Sequence, residues 1–151
     1  LAEYPLANYD SPSLALANLV TDANYSCTTR QTSQLLAQHV PVYQYEFADA
    51  NAPDYLWEGL RGPVHASETN YLFQLPNAKT SGYFTSDQLK LSNNMIDYWA
   101  TFAKNGNPNK YGLPYWPSFN GTASVQTLAP NAIGTSATFA AEHNCNFWDS
   151  L

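Results

Sequence analysis

The segment from Thr85 to Pro108, TSDQLKLSNNMIDYWATFAKNGNP, most narrows what this chain can fold into, because it carries the start, face and stop signals of one long helix. Thr85 and Gln88 stand at capping-box spacing, where each side chain can satisfy a backbone N–H that the first turn leaves open. Leu91, Met95, Ile96, Trp99, Phe102 and Ala103 then recur three and four residues apart as one apolar stripe. Gly106 and Pro108 end the helix, one by its tolerance of a left-handed cap and the other by its missing N–H. A helix this one-sided must lie on another layer, and core packing explains its aromatic residues without a ligand.

The remaining signals mix helices with strands. Ser11 is an N-cap followed by Pro12 at the first helical position, and Leu14, Ala17 and Val20 continue a helix over residues 12 to 20. A second helix is expected from Cys27 to Gln38, with Asp22 capping its start, Leu35 and Leu36 on its apolar face, and Pro41 beyond its end. His39 falls at its C-terminus, where an imidazole complements the helix dipole. Val42 to Phe47, VYQYEF, alternates in part and is rich in aromatic residues, which marks the best strand. Residues 48 to 64, with Pro53, Gly59, Gly62 and Pro63, read as loop. Tyr111 to Pro117 is a proline-aromatic connector, Val125 to Leu128 a short strand, and Thr138 to Trp148 a final helix. No internal repeat or low-complexity tract interrupts this α/β order.

Composition removes several function classes. The 151 residues are 44% hydrophobic and only 12% charged, as in a globular domain able to bury roughly 70% of its unfolded surface. The net charge is −6, and Arg30, Arg61, Lys79, Lys90, Lys104 and Lys110 are scattered, so the basic footprint of a nucleic-acid partner is missing. The longest apolar run, Leu14 to Val20 broken by Asn18, is far short of the roughly 20 residues of a membrane span. Glu3 and Asn8 interrupt any apolar signal-peptide core. No His-x-x-x-His or Cys-x-x-Cys pair suggests a metal site, and no glycine-rich loop opens a helix as a phosphate cradle. Cys27 and Cys145 are either one disulfide or two buried thiols. Asn24 and Asn120 head Asn-x-Ser/Thr sequons, candidate N-glycosylation sites that together with low lysine content favour an oxidising compartment.

One loop is rich in chemistry. In Gly62 to Phe73, GPVHASETNYLF, His65 is followed by Glu68, Tyr71 and Phe73. An imidazole titrates near neutrality and so can take a proton from a hydroxyl nucleophile and return it to a leaving alcohol. Alone, a loop histidine is more often structural. This one has company, because the Gly-x-x-His-x-x-Glu pattern and the downstream YWATFAKNGNPN together resemble the type B carboxylesterase and cholinesterase family.

The resemblance implies that residues 1–151 are the C-terminal segment of a single α/β-hydrolase domain, covering the final third or so of a family member. It implies the last main strand, a histidine loop, a long helix and a C-terminal helix. It implies His65 as the triad histidine, with Gly62 and Glu68 in supporting roles and the triad acid upstream, and it pairs Cys27 with Cys145. The implied activity is carboxylic ester hydrolysis through an acyl-enzyme, without cofactor or metal, by a secreted protein acting on a small ester. No Gly-x-Ser-x-Gly elbow occurs in the chain, and Gly134-Thr-Ser-Ala-Thr is not one. The serine and acid must therefore come from the upstream part of the same hydrolase, and this chain alone is expected to be inactive and prone to aggregate. The alternative is a cholinesterase-like adhesion or binding module that has lost catalysis. A carbohydrate-binding domain is disfavoured, since the aromatic residues fall in helix stripes.

Overall fold

Helix α4 (Ser86–Asn105) forms where the capping and stripe signals overlap. Gln88 N donates to Thr85 Oγ1 at 3.2 Å and Thr85 N to Gln88 Oε1 at 2.9 Å, which closes both halves of the capping box. Gly106 caps the other end with φ 68°, a left-handed turn that a side chain would strain. A computed structural model of the protein describes residues 2–53, 62–73, 84–120 and 124–151. Residues 54–61 of the expected loop, and the second and third positions of the Asn120 sequon, lie outside the described residues.

The other elements are α1 (Pro12–Thr21), α2 (Cys27–Leu36), β1 (Gln44–Phe47), α3 (Thr69–Leu72), β2 (Val125–Leu128), β3 (Gly134–Ser136), α5 (Phe139–Glu142) and α6 (Cys145–Trp148). The strands form one sheet in the order β1-β2-β3. Ala48 N extends the pairing beyond β1 by donating to Leu128 O at 3.0 Å. Between β2 and β3, Ala132 N donates to Ala129 O, and Asn131 takes a positive φ of 58°. Asparagine tolerates that conformation through its short polar side chain.

The chain divides into two units. The first comprises residues 1–44, 118–124 and 136–151; the second comprises residues 45–117 and 125–135. In the first, Ser11 caps α1 by accepting from Leu14 N at 3.2 Å, with Pro12 at the first helical position. A single π-turn, Asp22–Ser26, runs α1 into α2 without a break. Asp22 is therefore no N-cap, because helical backbone precedes it. It is buried, accepting from Tyr4 Oη at 2.9 Å and facing His143 Nδ1 at 2.6 Å. Trp148 Nε1 donates to Tyr4 Oη at 2.7 Å, and a disulfide joins Cys27 to Cys145. These contacts turn α2 so that Cys27 and Ser33 are buried while Leu35 and Leu36 are exposed, the reverse of the expected face. The final helix also differs from expectation. It breaks into α5 and α6 because Asn144 is left-handed, with φ 51°.

In the second unit the buried face of α4 is Gln88, Leu91, Ser92, Met95 and Tyr98. Tyr98, absent from the expected stripe, is fully buried because its hydroxyl donates to Pro114 O at 2.5 Å. Trp99 is half-buried, whereas Phe102 and Ala103 are exposed. Trp116 meets Tyr98 edge-on at 5.2 Å and Trp99 at 5.9 Å, and Tyr45 of β1 packs on both tryptophans. Such tilted and edge-on pairs add about 0.5–1.5 kcal/mol each beyond their buried area. Asn109 holds the connector by exchanging two hydrogen bonds, both at 2.8 Å, with the Trp116 backbone. Among the described residues, no helix is long and apolar enough to cross a membrane, and no group of His, Cys, Asp or Glu is arranged to hold a metal ion.

Candidate active site

His65 sits in a chain of tight turns. Val64 N donates to Gly62 O at 2.9 Å, Ser67 N to Val64 O at 3.0 Å and Thr69 N to Ala66 O at 3.1 Å. The turns lead into α3, whose N-cap residue is Glu68. Gly62 has φ 123°, which explains why a glycine stands there. Ala66, immediately after the histidine, has φ 67°. Positive φ at a residue other than glycine is uncommon and concentrates at functional sites. The effect is to lift His65 to an exposed position while Ser67 and Asn70, on either side of Glu68, are buried.

Both ends of this segment are tied down. At the N-terminal end Gly62 N donates to Ala52 O at 3.0 Å. At the C-terminal end the buried Tyr71 donates its hydroxyl to Asp49 Oδ2 at 2.5 Å, and Ser92 Oγ of α4 donates to Tyr71 O at 2.6 Å. Gln88 Nε2 reaches the same Asp49 oxygen at 2.8 Å, while Asn51 N donates to Asp49 Oδ1 at 2.8 Å. Burial, joined by the hydrogen bond to Asp49 and by its charge, holds the Tyr71 phenol far above its ordinary value, so it remains a donor. Phe47 and Phe84 pack on the Tyr71 ring at centroid distances of 4.9 and 4.4 Å.

Glu68 is half-buried. The Tyr45 phenol is pushed up by burial first and then by the negative charge of Glu68, which places that carboxylate within electrostatic reach of β1. Two buried polar groups of the turn lack partners among the described residues: Ser67 Oγ, and both amide atoms of Asn70. Buried polar groups are almost always bonded, so these mark the turn as a place where further groups are expected. A cavity of about 320 Å³, lined in part by Asp87, Lys90, Asn94 and Asn131, includes none of the histidine-turn residues.

Sequence reasoning singled out Gly62, His65 and Glu68, and the structure brings them onto one turn. It missed Asp49, the Tyr71 hydroxyl and Gln88 as the supports of that turn. The Asp-x-Asn spacing at 49–51 signals a local Asx-turn, but Tyr71 and Gln88 lie 22 and 39 residues away. Cys27, Cys145, Asn24 and Asn120 belong to the first unit. Asn24 and Asn120 are both exposed there, Asn24 donating to Val20 O and Asn120 accepting from Ser124 Oγ.

The sequence matches the profile of the Carboxylesterase family over residues 3–148. It is 36% identical over 124 residues to an acylcarnitine hydrolase of Rattus norvegicus, a match that takes in 78% of this chain and 22% of the relative. It is 31% identical over 134 residues to a cocaine esterase of Homo sapiens, covering 86% and 23% respectively. Against an acetylcholinesterase of Caenorhabditis briggsae the identity is 26% over 147 residues, with 89% and 23% covered. Among solved structures, a PNB esterase superposes with a TM-score of 0.72 at 21% identity, over 93% of this chain and 28% of its own. An esterase from anaerobic Clostridium hathewayi gives 0.67 at 18% identity, over 99% and 28%. The chain thus spans about a quarter of the length of these relatives.

Proposed function

The chain belongs to the carboxylesterase family, and on that premise we propose that it is the histidine-bearing part of a larger serine carboxylesterase. Its small sheet together with its helices fits a C-terminal portion of the α/β-hydrolase fold. In the proposed enzyme, residues 1–151 belong to one hydrolase domain whose upstream part carries the nucleophilic serine, the triad carboxylate and the oxyanion donors.

His65 acts as general base and then general acid. It takes the serine proton as the hydroxyl attacks the ester carbonyl, and returns it to the departing alcohol. It then activates water to release the acid from the acyl-enzyme. The observation that carries this reading is the turn itself: an exposed imidazole followed by a residue at positive φ, with both ends of the segment anchored. Glu68 supports the turn and is not the triad acid. The disulfide and the exposed Asn24 and Asn120 that head the two sequons support a secreted, glycosylated protein.

The test is fluorophosphonate labelling of the full-length protein, followed by intact-mass analysis under denaturing conditions with and without reductant. Labelling of a serine upstream of, or on a second polypeptide linked to, this chain is expected, and His65→Ala should prevent it. A fully folded protein that takes no label in its unaltered form would overturn the reading in favour of a non-catalytic module.

A further inference from the structure

We propose that Asp49 is a positioning residue for the reaction: through its two carboxylate oxygens it fixes both ends of the segment that carries His65. The inference rests on the reading of His65 as the general acid/base. Asp49 is 3% exposed, and among the described residues no basic side chain pairs with it. A carboxylate is rarely buried without a cation unless several hydrogen bonds compensate. Here the compensating donors among the described residues come from the supports of the histidine segment.

The two oxygens have different tasks. Oδ1 accepts from Asn51 N at 2.8 Å and, with Ala52 N donating to Asp49 O at 3.1 Å, shapes the turn that presents Ala52 O. That carbonyl receives Gly62 N, three residues before His65. Oδ2 accepts from the Tyr71 hydroxyl, six residues after His65, and from Gln88 Nε2 in the first turn of α4. Gln88 Oε1 is already engaged by Thr85 N and Oγ1, so its amide can only donate toward Asp49. A neutral amide at position 49 has one acceptor atom where two are used. With that oxygen on Asn51 N, its NH2 faces the Gln88 NH2 donor against donor and can keep Tyr71 only by donating to the hydroxyl oxygen, so the tie to α4 at that end of the segment is lost. Misplacing a general base by about 1 Å is enough to reduce turnover about a hundredfold.

The experiment uses the full-length protein and a chromogenic short-chain carboxylic ester. Asp49→Asn is expected to lower kcat by about 10- to 100-fold with KM within about threefold. Tyr71→Phe, which keeps the carboxylate and removes one tether, should lower kcat by a smaller factor. The decisive variant is Asp49→Asn with Gln88→Glu. There the bonds reverse direction: the amide nitrogen introduced at position 49 donates to the carboxylate introduced at position 88 and to the Tyr71 hydroxyl oxygen, and that carboxylate still accepts from Thr85. Recovery of kcat to within about fivefold of the unaltered protein is expected. The proposal is overturned if Asp49→Asn, folded by circular dichroism, keeps kcat within about twofold. It is equally overturned if the double variant regains thermal stability without regaining kcat. Should Asp49→Asn not fold, an unchanged kcat in Tyr71→Phe overturns it. His65→Ala is assayed in parallel. Turnover retained there refutes the role of His65 itself, whereas loss there with an unaffected Asp49→Asn refutes only the positioning role.

Discussion

Removing the Cys27–Cys145 disulfide should cost the first unit as much stability as truncating one of its buried aromatic residues. Helix α1 buries only Ala15, and Leu14, Leu16 and Val20 are exposed, so that unit has little apolar core to hold its terminal helices. The bond closes a loop of sequence separation 118. Loop-closure entropy for that length amounts to about 16 cal/mol/K, or roughly 4.9 kcal/mol at 25 °C. Strain and residual structure in the unfolded chain usually reduce the gain, so about 3–5 kcal/mol is expected for Cys27→Ala with Cys145→Ala. Both sulfurs are buried, and their loss adds a small cavity term in the same direction. The assay is urea unfolding of the full-length protein, with hydrogen exchange of peptides covering residues 12–36 and 139–148 to locate the loss. The exchange protection of those two segments should fall together, because the bond joins the start of α2 to the start of α6. A change below about 1 kcal/mol, or protection lost elsewhere but not in these segments, would refute the loop-entropy argument.

His65→Ala should abolish ester turnover while leaving the unfolding transition of the full-length protein unchanged to within about 0.5 kcal/mol, since the side chain is exposed; a concurrent loss of stability would point to a structural histidine. Met95→Ala should destabilise by about 2–5 kcal/mol in urea unfolding, because Met95 is fully buried on α4. Burial pushes the Tyr98 phenol up to about 12, with the neighbouring Gln126 acting in the opposite direction. The folded state therefore holds a proton that the unfolded state releases near pH 10, so this contribution is complete below about pH 10 and lost as pH rises toward about 12. A stability profile from about pH 9 to about pH 12 should show that decline, and Tyr98→Phe should make it shallower by one phenol's share, since Tyr45 and Tyr71 are raised as well. Expressed alone, the chain should form soluble oligomers or precipitate, because Leu14, Leu16, Val20, Leu35 and Leu36 are exposed; a monodisperse monomer by light scattering would refute this.

Local chemistry carried much of the fold. The Thr85–Gln88 capping box, Ser11-Pro12 and Gly106 placed the ends of α1 and α4 within a residue or so, because each end is decided by groups three or four residues away. The prolines and glycines of residues 48 to 64 also placed His65 at the end of a loop. Which faces are buried was less legible. Leu35 and Leu36 are apolar yet exposed, because the disulfide and the Asp22 contacts orient α2 by its other side. Tyr98 entered the core because Pro114 O, far along the chain, accepts its proton.

The sequence by itself thus determined the ends of α1 and α4 and offered His65 as the candidate for acid–base chemistry, since these depend on spacing and on the intrinsic properties of side chains. Only the tertiary structure decided what holds that residue in place. Asp49 reads as an ordinary loop aspartate until β1, α3 and α4 bring Tyr71 and Gln88 to one of its oxygens. Hydrogen bonds between residues so distant leave no periodicity in the sequence, and they exist only once the burial of their neighbours has excluded water.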